Sequence, residues 1–392
     1  MGDHVQPARI PSPSGLTGEL RDRLVLPPTR HLARWVVTVR TARWPEHSRL
    51  FSLGDRGGWS VDEDAAHLAS AARRLAFEVG PARWAPFTQR QSVFLASHFE
   101  ALAPRWLASS HRLGTAYLHG RPGTPGHPEF AASFEALRGN PDRLSRIQVT
   151  HAEMHELVLE AGVEPGRVFR IPIGVDLESF PLVEAERRAA ARRVLDIRED
   201  AFVVGSFQKD GVGWGDGLEP KLIKGPDVLV RSLDAVHARV PELVVLLTGP
   251  ARGYVQAELE RRRIPFQHLL ATSRSELARA YHALDVYVVP SRQEGGPKGV
   301  LEAMATGVPL VTTRVGMASE LVDHGRNGFL VDVEDEEAIA DCVVRVRDSF
   351  GLCRALTASG RETAEHYAYE LLDPAWEKLL EGFVVRGDRN GH

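Results

Sequence analysis

Residues 290–307, PSRQEGGPKGVLEAMATG, decide the fold of this chain. The β-branched run 285–289 precedes them and the apolar run 308–313 follows. This pattern predicts a strand buried in a parallel sheet, then a glycine loop, a helix, a turn and a second strand. Such a succession is a βα unit of an α/β protein.

The loop of this unit has the composition of a phosphate site. Gly295, Gly296 and Gly299 let the backbone approach a ligand closely, and Pro297 suits the first position of a helix. The free N–H groups of the first helical turn and the positive end of the helix dipole attract phosphate. The loop is therefore predicted to bind a phosphorylated ligand.

Two glutamates frame the loop, because Glu294 lies in it and Glu302 follows eight residues later in the helix. This arrangement resembles the signature of retaining glycosyltransferases of family 4, which have the GT-B fold. In that family the first Glu lies near the donor sugar and the second holds the ribose hydroxyls of the nucleotide. The resemblance implies those roles for Glu294 and Glu302.

The loop departs from the family pattern after its first glycine. The family usually has an aromatic residue and a glycine there, whereas residues 296–298 of this chain are Gly-Pro-Lys. Proline removes one amide donor and lysine adds a cation. We predict direct contact between Lys298 and the donor. The predicted donor-binding residues of the loop are Gly295, Gly296, Pro297, Lys298 and Gly299.

Lysines are concentrated near the predicted nucleotide site. The chain has 5 lysines among its 48 basic residues, and Lys378 is the one outside residues 208–300. In the resembled family an Arg and a Lys clamp the donor diphosphate. Lys224 matches the Lys, Lys209 is the candidate for the Arg role, and Lys221 is a further donor-binding candidate. The alternative for the glycine-rich segment 208–220 is a solvated hairpin.

The first half of the chain predicts another Rossmann-like unit. A first short strand is predicted at 35–39. A strand at 49–53 leads through Gly57 and Gly58 to a helix from Val61, and the resemblance implies that this glycine pair lies on the acceptor side. The acidic run 62–64 formally matches an acid-x-acid metal pattern. Acids at a helix start complement the helix dipole, and we favour that interpretation. No metal is predicted.

Two histidines end predicted strands, His98 that of 92–98 and His119 that of 115–119, and a helix is predicted between the strands around 99–110. In open α/β sheets ligands bind outside the carboxyl ends of strands. The resembled family often has a histidine at such a strand end, close to the donor sugar. We favour His119 over His98 for that contact.

The domain boundaries follow from the predicted elements and from the segment 167–176, which resembles the family's crossover into its second domain. Residues 1–32 are predicted to be disordered or loosely packed. The acceptor-side domain is 33–178 and the nucleotide-sugar domain is 179–368. Residues 369–392 form a helix expected to pack back on the first domain.

Composition excludes several classes of function. The net charge of −4 argues against nucleic-acid binding, and hydrophobic and charged fractions of 43% and 26% are those of a soluble protein. Two cysteines make no disulfide framework, and no apolar stretch is long enough to span a membrane. We expect a cytoplasmic protein. A peripheral membrane contact through residues 35–44 is not favoured.

The predicted function is that of a retaining, metal-independent hexosyltransferase without cofactor. It would use a nucleotide diphosphate sugar, UDP- or GDP-linked, and a front-face mechanism in which His119, Glu294, Lys209 and Lys224 are the catalytic candidates. The acceptor hydroxyl belongs to a sugar, an aminocyclitol, an aglycone or a lipid-linked saccharide. The alternatives are an epimerase or phosphorylase on the same fold, or a non-catalytic nucleotide-sugar-binding protein.

Overall fold

The structure is a computed structural model that describes residues 49–53, 60–81, 85 and 90–384. The candidates Gly57 and Gly58, the predicted strand 35–39 and the N-terminal residues 1–32 lie outside the described residues. The two glycines therefore stay a prediction.

The first sheet has six parallel strands in the order β2-β1-β3-β4-β5-β6. The strands are β1 (Arg49–Leu53), β2 (Glu78–Pro81), β3 (Ser92–Leu95), β4 (Arg112–Ala116), β5 (Leu144–Val149) and β6 (Val168–Arg170). The helices are α1 (Ser60–Arg74), α2 (His98–Ala101), α3 (Pro104–Leu107), α4 (Pro128–Arg138) and α5 (Ala152–Glu160). The apolar runs of the strands are buried, as parallel strands covered by helices require.

The second sheet also has six parallel strands, in the order β12-β11-β10-β7-β8-β9. They are β7 (Phe202–Ser206), β8 (Leu243–Thr248), β9 (Phe266–Leu269), β10 (Val286–Val289), β11 (Leu310–Thr313) and β12 (Phe329–Val331). The helices are α6 (Ala185–Val194), α7 (Pro226–His237), α8 (Gly253–Arg262), α9 (Arg274–His282), α10 (Lys298–Thr306), α11 (Ala318–Leu321), α12 (Glu336–Asp348), α13 (Phe350–His366) and α14 (Tyr369–Leu380). Separate apolar clusters cover its two faces.

The C-terminal helix α14 returns to the first sheet, as predicted. Trp376 is 1% exposed and packs in one apolar cluster with Leu50 and Phe94 of the first sheet. The residues just after α14 are held there by a hydrogen bond that the Ser92 hydroxyl donates to the Phe383 carbonyl at 2.5 Å. This helix therefore belongs by its packing to the first unit, although it follows the second unit in the chain.

Two predicted elements of the first unit have different bounds in the structure. The predicted helix 99–110 is two short helices, because Pro104 starts α3 and no proline can continue α2. The predicted strand 115–119 is β4, which ends at Ala116, so His119 lies in the following loop. The edge strand β2 was not predicted.

None of the described helices is long and apolar enough to cross a membrane.

The two units touch each other at the glycine loop and at α11. The Thr150 hydroxyl, just after β5, donates to the Gly295 carbonyl at 2.9 Å. Glu320 of α11 accepts a hydrogen bond from the Ala152 N–H at 2.7 Å and forms an ion pair with Arg170. The carboxyl edges of the two sheets thus meet around residues 290–297.

Candidate active site

The site lies where the strand order of the second sheet reverses. Strand β7 has β8 on one side and β10 on the other, so the loops after β7 and β10 diverge from neighbouring strand ends. Such a topological switch point is where open α/β sheets bind ligands. The lysine segment 208–225 follows β7 and the glycine loop 290–297 follows β10, so the fold brings these two predicted segments together.

Glu294 is a buried carboxylate in a cage of polar hydrogen-bond donors. Its exposed fraction is 8%. Lys224 Nζ donates to Oε1 and Oε2 at 2.7 and 2.6 Å, and the Ser291 hydroxyl and Gln208 amide donate to Oε1 at 2.8 and 3.0 Å. Burial favours the neutral carboxyl, but Lys224 and these bonds outweigh it and lower the pKa of Glu294 below its ordinary value. Glu294 is therefore an anion at neutral pH.

Three lysines gather around this carboxylate. Burial and the repulsion from Lys224 lower the pKa values of Lys209 and Lys221. Lys209 Nζ donates to the Gly211 carbonyl at 3.2 Å and lies 5.0 Å from the centroid of the Trp214 ring. The three cations close to Glu294 make the cluster suited to a diphosphate ligand.

Residues 211–220 form a hairpin between these lysines, as the alternative interpretation expected. Gly211 and Pro220 pair as an isolated antiparallel bridge, and the Lys221 N–H donates to the Asp210 carbonyl at 2.7 Å. The hairpin and the lysine cluster coexist, because its base holds Lys209 and Lys221 near each other. Gly225 then turns the chain into α7 at φ +66°, where a Cβ would lie 2.0 Å from the Pro290 carbonyl oxygen.

His119 faces the lysine cluster from the first unit. Burial and then the charge of Lys224 lower its pKa to about 4, so the ring is neutral at pH 7. Its Nδ1 is buried and has no hydrogen-bond partner among the described residues. His98 instead stacks on Tyr117 at 3.9 Å and is 2% exposed. Of the two candidates, His119 is thus the one beside Lys224 and Glu294, and its contact with the sugar stays a prediction.

The glycine loop packs closely against the first unit. A Cβ on Gly295 would lie 2.5 Å from the Leu118 carbonyl oxygen, and one on Gly296 would lie 2.6 Å from Ile173 Cδ1. Pro297 is the N-cap of α10 and the helix begins at Lys298, one residue later than predicted. A larger residue at Gly295 would meet the backbone of the first unit, whereas one at Gly296 would require the Ile173 side chain to move.

Lys298 points away from the lysine cluster. Its ammonium pairs with Glu63 of α1 and donates to the Tyr369 hydroxyl at 2.7 Å. Burial lowers its pKa to about 7, and the charge of Glu302 opposes that shift. Glu302 accepts a hydrogen bond from the Tyr281 hydroxyl at 2.8 Å, and burial raises its pKa. The direct contact of Lys298 with the donor, and the ribose role of Glu302, stay predictions.

Residues 217–349 match the family described as Glycosyl transferases group 1. This chain contains a group 1 glycosyltransferase domain. The matched range includes Lys221, Lys224, the glycine loop and both glutamates. The predicted resemblance to family 4 glycosyltransferases is confirmed at this level.

Relatives with curated names extend the match beyond that domain. The D-inositol 3-phosphate glycosyltransferase of Kribbella flavida is 32% identical over 243 residues, which are 59% of this chain and 54% of that protein. D-inositol 3-phosphate glycosyltransferase 1 of Catenulispora acidiphila is 30% identical over 302 residues, 70% of this chain and 66% of that protein. The chain spans about half the length of the curated relatives that it matches first.

Solved structures with the same fold include HepE of Anabaena, determined with UDP and glucose. It has a TM-score of 0.68 at 15% identity, over 85% of this chain and 99% of that one. Sucrose-phosphate synthase of Thermosynechococcus elongatus has a TM-score of 0.61 at 19% identity, over 83% and 79% of the two chains. These likenesses confirm the predicted GT-B fold.

The acidic start of α1 links the first unit to the glycosyltransferase domain. Glu63, which we interpreted as complementing the helix dipole, also binds Lys298 and lies 2.5 Å from Arg274 Nη2. Arg274 in turn pairs with Asp176 of the crossover at 3.0 Å. The sequence could not indicate these partners, because the members of each pair lie at least 98 residues apart in the chain.

We expect the Glu63–Lys298 pair to be energetically coupled. Lys298→Met removes one of the two cations that pair with Glu63 and leaves only Arg274. Glu63→Gln leaves the buried ammonium of Lys298 without its carboxylate. Each variant should therefore be less stable than the parent. Because the residues touch, a double-mutant cycle should give a coupling of roughly 0.5–3 kcal/mol in the free energy of unfolding. The control is the exposed pair Arg198–Asp200, whose coupling should be much smaller than that of Glu63 and Lys298, because water screens an exposed ion pair. Additivity at Glu63 and Lys298 would contradict this prediction.

Asp64 gives the fold a pH dependence. Its carboxyl is 5% exposed and accepts a hydrogen bond from the Tyr369 hydroxyl at 3.2 Å, and burial raises its pKa from 3.8 to about 7. Below pH 3.8 the Asp64 carboxyl is protonated in both the folded and the unfolded state. As the pH rises towards 7, the unfolded state loses this proton first. The free energy of unfolding therefore falls as the pH rises. Asp64→Asn cannot ionise and should be more stable than the parent by at least about 1 kcal/mol at pH 8.

The measurement for Asp64 is urea unfolding of parent and variant at pH 4.5 and pH 8. The advantage of Asp64→Asn should be small at the lower pH and grow at the higher one. An advantage that is independent of pH, or a variant that is less stable at pH 8, would contradict the raised pKa.

Several residues of the glycosyltransferase site had no role assigned from the sequence. Ser291 and Gln208 hold Glu294, Tyr281 holds Glu302, and Thr150 holds the glycine loop. Ser291, Gln208 and Thr150 share one usable signal, since each is polar and lies within two residues of the carboxyl end of a strand. Tyr281 lies inside a helix and carries no such signal.

Proposed function

We propose that this chain is a retaining glycosyltransferase that moves a hexosyl group from a nucleoside diphosphate sugar, UDP- or GDP-linked, to an acceptor hydroxyl. The observation that carries the proposal is the buried Lys224–Glu294 pair, at 2.6 Å, inside the lysine cluster of a group 1 glycosyltransferase domain. A cation for the diphosphate and an anion for the sugar are thereby held side by side at the switch point.

In the proposed reaction, the bond between the anomeric carbon and the diphosphate oxygen breaks, and its electron pair stays on the phosphate. The acceptor oxygen forms the new bond on the same face of the sugar, and a phosphate oxygen takes the acceptor proton. The sugar becomes cationic and the phosphate more anionic during this step. Glu294 and the neutral ring of His119 would contact the sugar, while Glu302 would hold the ribose.

Lysines supply the greater part of the charge stabilisation in this proposal. A helix N-terminus contributes about 0.3–1 kcal/mol when exposed and about 2 kcal/mol at best. A charge-assisted hydrogen bond contributes about 1.5–3 kcal/mol. Lys224 has three N–H donors, and Glu294 occupies two of its directions, so one remains for a phosphate oxygen. With Lys209 and Lys221 this gives three cations, and we propose that no metal is required.

For the acceptor we propose a cyclitol or cyclitol phosphate as the first class to test. The support is that the relatives with 32% and 30% sequence identity are D-inositol 3-phosphate glycosyltransferases. A small polar acceptor would enter between the carboxyl edges of the two sheets, beside His119 and the glycine loop.

A thermal-shift screen with UDP, GDP, dTDP and ADP tests the donor. A nucleotide present at a hundred times its dissociation constant stabilises the folded state by about 2.7 kcal/mol. Transfer assays with the matching nucleotide hexoses then follow, with myo-inositol and its phosphates as acceptors, in the presence and absence of EDTA. NMR coupling constants of the product give the anomeric configuration.

Each outcome of these assays has a clear meaning. Stabilisation by one nucleotide and transfer with retention, unaffected by EDTA, would support the proposal. Interconversion of the nucleotide sugar without acceptor would favour the epimerase, and binding without turnover would favour the non-catalytic alternative. If no nucleotide stabilises the protein, the donor proposal is wrong.

A further inference from the structure

The hairpin of residues 211–220 has a firmly held base. A Cβ on Gly217 would lie 2.2 Å from the Ala251 carbonyl oxygen. The N–H groups of Gly253 and Tyr254, in the first turn of α8, donate to the carbonyls of Asp216 and Gly217 at 2.8 and 2.9 Å. The hairpin therefore caps α8 and cannot leave this position without exposing that helix end.

The tip of the hairpin carries an aromatic ring. Trp214 is 67% exposed and stands between Gly213, with φ +74°, and Gly215. Among the described residues, no atom lies within 4 Å of a Cβ built on either glycine. Val212 and Leu218 of the same hairpin are also exposed, so the ring belongs to an exposed apolar patch, which is typical of a surface that binds a ligand.

Trp214 borders the cationic site. Its ring lies 5.0 Å from Lys209 Nζ, and Lys209 is close enough to Lys224 for their charges to repel. The hairpin packs against Ala251, which follows β8, whereas the glycine loop, which includes Glu294, packs against Leu118 of the first unit. Within the lysine cluster, Lys224 thus contacts Glu294 and Lys209 contacts the ring of Trp214.

We propose that Trp214 stacks on the nucleobase of the donor. This inference rests on the proposed function and deepens it. With the hexose at Glu294 and the diphosphate at the lysines, the nucleoside extends towards the hairpin. A flat indole stacks on a base, and the glycines beside it let the ring adjust to the base plane. The cation–π contact with Lys209 keeps the ring at the site edge until the ligand is bound.

The test uses calorimetry to measure the affinity of Trp214→Ala and Trp214→Phe for the nucleoside diphosphate that stabilises the parent. The same measurement is made with its monophosphate, with the corresponding nucleotide hexose and with inorganic pyrophosphate. Base–aromatic stacking predicts a loss of roughly 5- to 100-fold for both nucleotides in Trp214→Ala. Trp214→Phe should recover most of that loss. Pyrophosphate should bind parent and variant equally. Leu218→Ala is the matched control, because Leu218 is also 67% exposed on this hairpin.

The outcomes separate this inference from the function on which it rests. If the parent binds a nucleotide and Trp214→Ala binds it equally well, stacking is wrong and the proposed donor stands. If only the nucleotide hexose is weakened, Trp214 contacts the sugar and the base assignment is wrong. If pyrophosphate weakens in parallel, the substitution disturbs the lysines and stacking is again overturned. A parent that binds no nucleotide overturns both proposals.

Discussion

Lys224→Ala should lower the rate of hexosyl transfer by about 10²–10³-fold, the usual loss when one preorganised donor to a developing oxyanion is removed. Lys224 lies at the centre of the site, because its ammonium touches both oxygens of Glu294 and its charge reaches Lys209, Lys221 and His119. Removing Lys224 would remove the cation that contacts the Glu294 carboxylate and that, in the proposed reaction, contacts the donor diphosphate. The main effect should be on kcat.

The variant should remain folded. Without Lys224, Glu294 keeps its bonds from Ser291 and Gln208 and can take up a proton, which limits the cost of leaving it buried. We expect a loss of ~1–3 kcal/mol in the free energy of unfolding and a single cooperative transition. Circular dichroism and thermal melting check this.

Lys378→Ala is the matched control for Lys224→Ala. Lys378 is exposed on α14, away from the cluster, and should show parental turnover and stability. Lys224→Arg keeps the charge but replaces a compact ammonium with a planar fork, so its turnover should be intermediate. Parental activity in Lys224→Ala would remove Lys224 from the proposed mechanism.

The second sheet and its site were predictable from the sequence because their signals are local. Apolar runs such as 286–289 lie next to glycine turns, and the Glu294 to Glu302 spacing lies within one βα unit. Each signal depends only on neighbours in the chain. The lysines and the glycine loop accordingly meet in the structure at the ends of the neighbouring strands β7 and β10. His119 faces them from the first unit.

The partners of Lys298 and Glu63 were not predictable, because they depend on how two units pack. Lys298 was expected to face the donor, and in the structure its ammonium meets Glu63 and Tyr369, which lie 235 and 71 residues away in the chain. The strand β2 was missed for a related reason. Its residues 78–81 include a glycine and a proline, and such a strand is favoured only once a neighbour pairs with it.

Glu294→Gln should lower transfer by on the order of 10–10²-fold, since it removes a charge-assisted contact of about 1.5–3 kcal/mol from the sugar as positive charge develops. The amide has nearly the same shape, so packing is retained, but its NH₂ group would face the ammonium of Lys224 or the amide of Gln208, which are themselves donors. Exposed Glu362→Gln on α13 is the matched control and should behave like the parent.

The pH dependence distinguishes an electrostatic role of Glu294 from a merely structural one. Its pKa lies below the ordinary value of 4.5 and that of His119 is about 4, so both groups keep one protonation state from pH 5.5 to 8. Titration of Glu294 and of His119 should therefore add no pH dependence to parental kcat in this range. A group with a lowered folded pKa contributes stability above its unfolded pKa and loses it as pH falls. Urea unfolding should consequently show that acidification from pH 6 to pH 4 destabilises the parent more than Glu294→Gln. Equal acid sensitivity, together with parental turnover, would mean that the buried carboxylate neither holds the cation nor serves the reaction.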